Sequence, residues 1–139
     1  MPKLPLWFLT AAAACLVGGV ALGLVMGIRH DFHLAPVHVH LNLVGWASLA
    51  LMGLTYRGFP ELSERRGPAL AQFCLSAGSA AVFPFGIWLA ISRGAPAVAI
   101  AAALVWFAGA LLFLARLVML GLRAPVGAAP RRDAVLAGE

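Results

Sequence analysis

The chain has 139 residues, 63% of them hydrophobic and only 11% charged, with a formal net charge of +5. Soluble domains carry about 25% charged residues, and a chain this short cannot hide so much apolar surface in a core of its own. Its solvent is therefore lipid, and a water-soluble enzyme domain is excluded. The basic residues are dispersed at helix ends with Glu61 and Glu64 among them, which also excludes the concentrated basic face of a nucleic-acid binder.

A helix that crosses a bilayer needs about 20 mostly apolar residues. Four stretches meet that requirement, at about Leu4–Ile28, Pro36–Tyr56, Ala69–Ile91 and Pro96–Leu120. Met1–Cys15 has the basic start and the Ala-Ala-Ala-Cys of a lipoprotein signal. The apolar run continues to Ile28, however, as a retained helix requires. Within it Cys15, Gly19, Gly23 and Gly27 recur every four residues, so small side chains line one face. That pattern predicts a close helix–helix seam, within the chain or between copies.

The second stretch opens on Pro36, which suits a first helical turn because the missing N–H has no use there. The third contains Pro84, which predicts a kink near Ala80–Phe83. Trp7 and Trp88 lie near opposite boundaries, as interfacial anchors do. The fourth has no polar group in its middle and reads as scaffold. Cys15 and Cys74 fall inside spans, where a thiol behaves as a small hydrophobe. The expected fold class is all-α: a four-transmembrane-helix bundle over residues 1–123. Residues 124–139, rich in Pro, Gly and Ala, are expected to form a disordered tail.

Orientation follows from the cations. Lys3, Arg57, Arg65, Arg66, Arg116, Arg123, Arg131 and Arg132 fall on one side, and only Arg29 and Arg93 on the other. The positive-inside bias then places both termini in the cytoplasm. The histidines are then expected outside, facing a periplasm or its equivalent.

All four histidines, His30, His33, His38 and His40, fall within eleven residues, between the first span and the second. His30 and His33 precede Pro36 and belong to a loop, with Met26 one helical turn before and Asp31 between them. Methionine, histidine and carboxylate together suit copper or zinc at an aqueous rim. His38 and His40 enter the second helix, roughly 3–6 Å below its start. Residues two apart on a helix point about 200° from each other, so this pair does not grip one ion; a pair four apart would. The His38 face continues through Asn42, Gly45, Leu49, Met52 and Tyr56, and the His40 face through Val44, Ala47 and Leu51. Ionisable groups inside a span are costly and usually functional, so His38 and His40 are the leading ligand candidates.

The residues Gly27, Asp31, Ala35, Pro36, His38, His40, Asn42, Gly45, Trp46, Gly53, Tyr56, Arg57 and Pro60 carry a resemblance. The segment from Met26 to about Pro60 resembles small bacterial four-helix membrane proteins of the cytochrome-c-oxidase-like type. These are related to subunit I of haem–copper oxidases and nitric oxide reductases. In the large oxidases one His of a His-x-His pair binds one haem and the other His a second haem. The resemblance implies these parts for His38 and His40, with haem b as cofactor, iron in redox or gas-binding use, and a redox partner protein. It also implies twelve helices around a threefold axis, which a homotrimer of a four-helix chain would rebuild. Reduction of oxygen or nitric oxide requires further histidines beside the haem, and this chain has none outside the cluster.

Three readings follow. In the first, the protein is an oxidoreductase-like haem binder that transfers electrons or binds a diatomic gas. His38 and His40 are its axial ligands, with Asn42 beside them and Arg29 and Arg93 near the haem propionates. In the second it handles copper through Met26, His30, His33 and His38, with Asp31 as a further candidate ligand. In the third it is a cofactor-free accessory subunit of a respiratory complex.

Overall fold

The structure, a computed structural model, describes residues 3–123. The first helix runs Leu4–Arg29, the second Ala35–Gly58, the third Arg66–Arg93 and the fourth Ala97–Arg123. All four are long and apolar enough to cross a membrane, and among the described residues there is no strand. The expected residues 124–139 tail lies outside the described residues. The third helix starts three residues before the apolar run does, because Arg66, Gly67 and Pro68 supply a polar first turn before burial begins at Ala69. It remains one continuous helix through Pro84.

The chain folds as two antiparallel hairpins, first helix on second and third on fourth, with the third helix bridging them. With an even number of spans, Leu4 and Arg123 share one end of the bundle, and all four histidines lie at or near the other. The core is aromatic where three helices meet: Phe8 stacks on Tyr56 at 5.3 Å and meets Phe73 edge-on at 5.1 Å. Such ring pairs contribute about 0.5–1.5 kcal/mol beyond their buried area.

The small-residue stripe of the first helix forms its seam inside the chain. Gly19 faces Asn42, Gly23 faces the His38 ring, and Cys15 lies against Gly45. Gly27 has nothing within 4 Å of an added Cβ, so the seam ends one turn before the helix does. The third and fourth helices close on each other in the same way. A Cβ on Gly86 would lie 2.6 Å from the Ala99 nitrogen and 2.8 Å from its Cα. Gly78, on the same helix, faces open space. Gly86→Ala is therefore expected to destabilise the bundle by about 1–3 kcal/mol, because backbone cannot yield as a side chain can. Gly78→Ala is expected to be neutral or slightly stabilising, since alanine is the better helix former. Thermal unfolding in mild detergent checks both, and equal effects would contradict the close approach at Gly86.

The second helix is not uniform. It is α-helical over Ala35–His40, π-helical over Leu41–Ala47 and α-helical again over Ser48–Gly58. Side chains contribute to this change of ladder. His40 Nδ1 bonds the Pro36 carbonyl at 2.7 Å, and Asn42 Nδ2 donates to the His38 carbonyl at 2.8 Å. Each occupies the acceptor four residues back that the regular α ladder uses. The Ser48 hydroxyl donates to Leu43 O, five residues back, in step with the wider turn. Single π turns of this kind are frequent at functional sites.

Candidate histidine site

The last turn of the first helix closes at His30, which adopts the left-handed conformation with φ 53°. The Asp31 N–H donates to Met26 O and the His30 N–H to Gly27 O, the wrapped helix end that usually carries glycine. Asp31 then accepts the His33 N–H at 3.0 Å through Oδ1. His30, Asp31 and His33 are exposed, whereas Met26 is buried. The rim set of Met26, His30 and His33 is thus split between the helix interior and an exposed turn. Among the described residues no three His, Cys, Asp or Glu side chains converge on a point where they could hold a metal ion.

Pro36 opens the second helix, and the two histidines of its next turn face different neighbours. His38 turns toward the first helix, where its Nδ1 lies 2.8 Å from Gly19 O and its ring rests on Gly23. A Cβ on Gly23 would lie 2.8 Å from the ring, so the absence of a side chain there makes room for it. Asn42 fills the next place along, against Gly19. His40 turns toward the third helix, where its ring meets Phe83 edge-on at 4.8 Å. The opposed directions expected from the two-residue spacing are those seen.

A carbonyl oxygen can only accept, so both hydrogen bonds place the ring proton on Nδ1. In the neutral imidazole, the lone pair of each ring is then on Nε2. Histidines that ligate metals are commonly held this way, with the other ring nitrogen bonded to a carbonyl that fixes tautomer and orientation. Arg29 and Arg93 end the first and third helices at the same end of the bundle and are exposed. Arg93 lies over the Trp88 ring at 5.9 Å, and Trp88 stacks on Phe85. The histidine bonds go to Gly19 and Pro36 rather than to either arginine.

The stripe below His38 forms the buried side of the second helix: Gly45, Leu49, Met52 and Tyr56 are all buried. Two polar groups there were not evident from the apolar pattern. Gln72 and Ser76 of the third helix are fully buried and bonded to each other at 2.9 Å, with Met52 Sδ 3.8 Å from the Gln72 amide. At the end opposite the histidines, Arg116 of the fourth helix is buried. It donates to the Tyr56 hydroxyl and to Leu62 O and lies 5.3 Å from the Tyr56 ring. Arg116 thus ties the fourth helix to the second, in addition to its place among the cations at that end.

The fold and its sites define a multi-pass, four-helix membrane protein with a histidine pair at one end. The chain matches no protein-family model, no curated protein and no solved structure.

Proposed function

We propose that the protein binds haem through the His38–His40 pair and serves electron transfer or the binding of a diatomic gas. The observation that carries this reading is the pair of Nδ1-to-carbonyl bonds, which leaves the Nε2 lone pair of each ring without a hydrogen bond among the described residues. A bare zinc ion needs three or four protein ligands at one point, and the described residues offer no such cluster of His, Cys, Asp or Glu. An iron already held in a macrocycle needs only one or two axial ligands, which suits isolated histidines. The bound group would supply redox chemistry or an open iron position. The chain's own part is to orient the two imidazoles and to limit water around them. Arg29 and Arg93, at the same end, are the candidates for haem carboxylates.

In this reading the histidine end faces the periplasm of a bacterial inner membrane, following the bias of cations toward the other end. The assembly proposed is a homotrimer, in keeping with the resemblance to twelve-helix oxidase subunits. A monomeric or dimeric mass in mild detergent would contradict that assembly without touching the haem reading. The haem reading is tested by iron, copper and porphyrin content of the purified protein. Iron and porphyrin in equal amounts are expected, with copper absent. Bound copper without porphyrin would favour a metal-handling role, and a colourless, metal-free protein would favour an accessory subunit.

A further inference from the structure

At the end of the bundle opposite the histidines, a cleft of about 580 Å³ opens between the fourth helix and the connection from the second helix to the third. Its walls combine Arg65, Arg116 and Arg123 with Glu61, Glu64 and apolar side chains that include Leu112 and Met119. Arg116 is only 8% exposed, and its hydrogen bonds among the described residues go to neutral oxygens, the Tyr56 hydroxyl and Leu62 O. A guanidinium has five N–H donors, and a cation taken out of water ordinarily has an anion against it. The cleft therefore presents a buried, fixed positive group with donors to spare; its exposed arginines, Arg65 and Arg123, are matched by Glu61 and Glu64, so Arg116 supplies its one net positive charge.

We propose that this cleft binds an anionic phospholipid, its phosphate held by the arginines and the start of its acyl chains lying along Leu112 and Met119. Basic pockets between membrane helices at the interface recognise such head groups. The depth argues for a lipid over free phosphate. Leu112 lies eleven positions before Arg123, about 16 Å along the helix at 1.5 Å per residue. That carries the apolar wall below the head-group layer, where a free anion has nothing to contact. The site stands on residues separate from the histidines and does not depend on the haem reading.

The test is native mass spectrometry of the full chain released from detergent carrying equal amounts of phosphatidylglycerol and phosphatidylcholine. Phosphatidylglycerol adducts are expected to exceed phosphatidylcholine adducts by roughly fivefold or more. At up to roughly fivefold per basic residue near the surface, the exposed pair Arg65→Gln/Arg123→Gln is expected to abolish a preference of that size, so that the two lipids are retained about equally. Arg116→Gln, compared after its thermal transition has been measured, is expected to lose the preference as well. Equal retention of the two lipids by the native chain would overturn the proposal. So would an unchanged preference in the double variant. Displacement of phosphatidylglycerol by an equal concentration of inorganic phosphate would also overturn it, showing a free-anion site instead.

Discussion

His38→Ala is expected to lower unfolding stability by about 1–3 kcal/mol, while His40→Ala lowers it by less than about 1 kcal/mol. The difference comes from what each ring holds. His38 bonds the Gly19 carbonyl across nineteen residues of chain and fills the space beside Gly23. Its loss removes a tie between two helices and leaves a gap in a close seam. The His40 bond is local, to the carbonyl one turn back, and its ring contact with Phe83 lies at a half-buried edge. Unfolding in mild detergent by heat or denaturant reads both. Equal losses would show that His38 has no special part in the seam.

Arg116→Ala is expected to cost more, about 2–4 kcal/mol. It removes packing, a cation–ring contact and the hydrogen bonds to the Tyr56 hydroxyl and the Leu62 carbonyl. Buried polar groups left without partners cost about 1–3 kcal/mol each. Arg116→Lys is expected to recover less than half of the loss, because an ammonium cannot reproduce a planar fork of donors. Tyr56→Phe, which leaves one N–H of a buried cation without its acceptor, is expected to cost about 1–2 kcal/mol. Because Tyr56 and Arg116 act on each other, the two changes should couple by at least about 0.5 kcal/mol in a double-mutant cycle. Strict additivity would show that the contact contributes nothing.

The four spans were legible because each is a long apolar run bounded by Pro, Gly or Arg, and length alone decides the matter in lipid. The partner face of the first helix was legible too, since Cys15, Gly19 and Gly23 keep one four-residue register and close approach needs small side chains. So were the opposed directions of His38 and His40, which precede the π segment and obey ordinary α geometry. The π segment itself had no signature. It is accompanied by the His40 and Asn42 side chains taking carbonyls one turn back, and those bonds depend on rotamers that spacing does not specify. Tyr56 and Arg116 lie sixty residues apart, and a rule that counts cations by membrane side sees Arg116 only as one more charge. Its burial follows from the third dimension, where the fourth helix crosses the end of the second. The rim set failed to gather for a local reason: the turn at His30 keeps Met26 inside and sends His30, Asp31 and His33 outward.

In the proposed haem reading, His38 and His40 each offer an Nε2 lone pair to haem iron. His40→Ala tests it most directly, because that chain should keep its fold and any spectral change then reports ligation rather than unfolding. The measurement is the oxidised and reduced absorption spectrum of the purified native protein and of this variant, at matched protein concentration. A Soret band is expected in the native protein, lost or shifted in His40→Ala, and lost when His38→Ala is added. A native protein with no Soret band, or a band unchanged in both the single and the double variant, would contradict it.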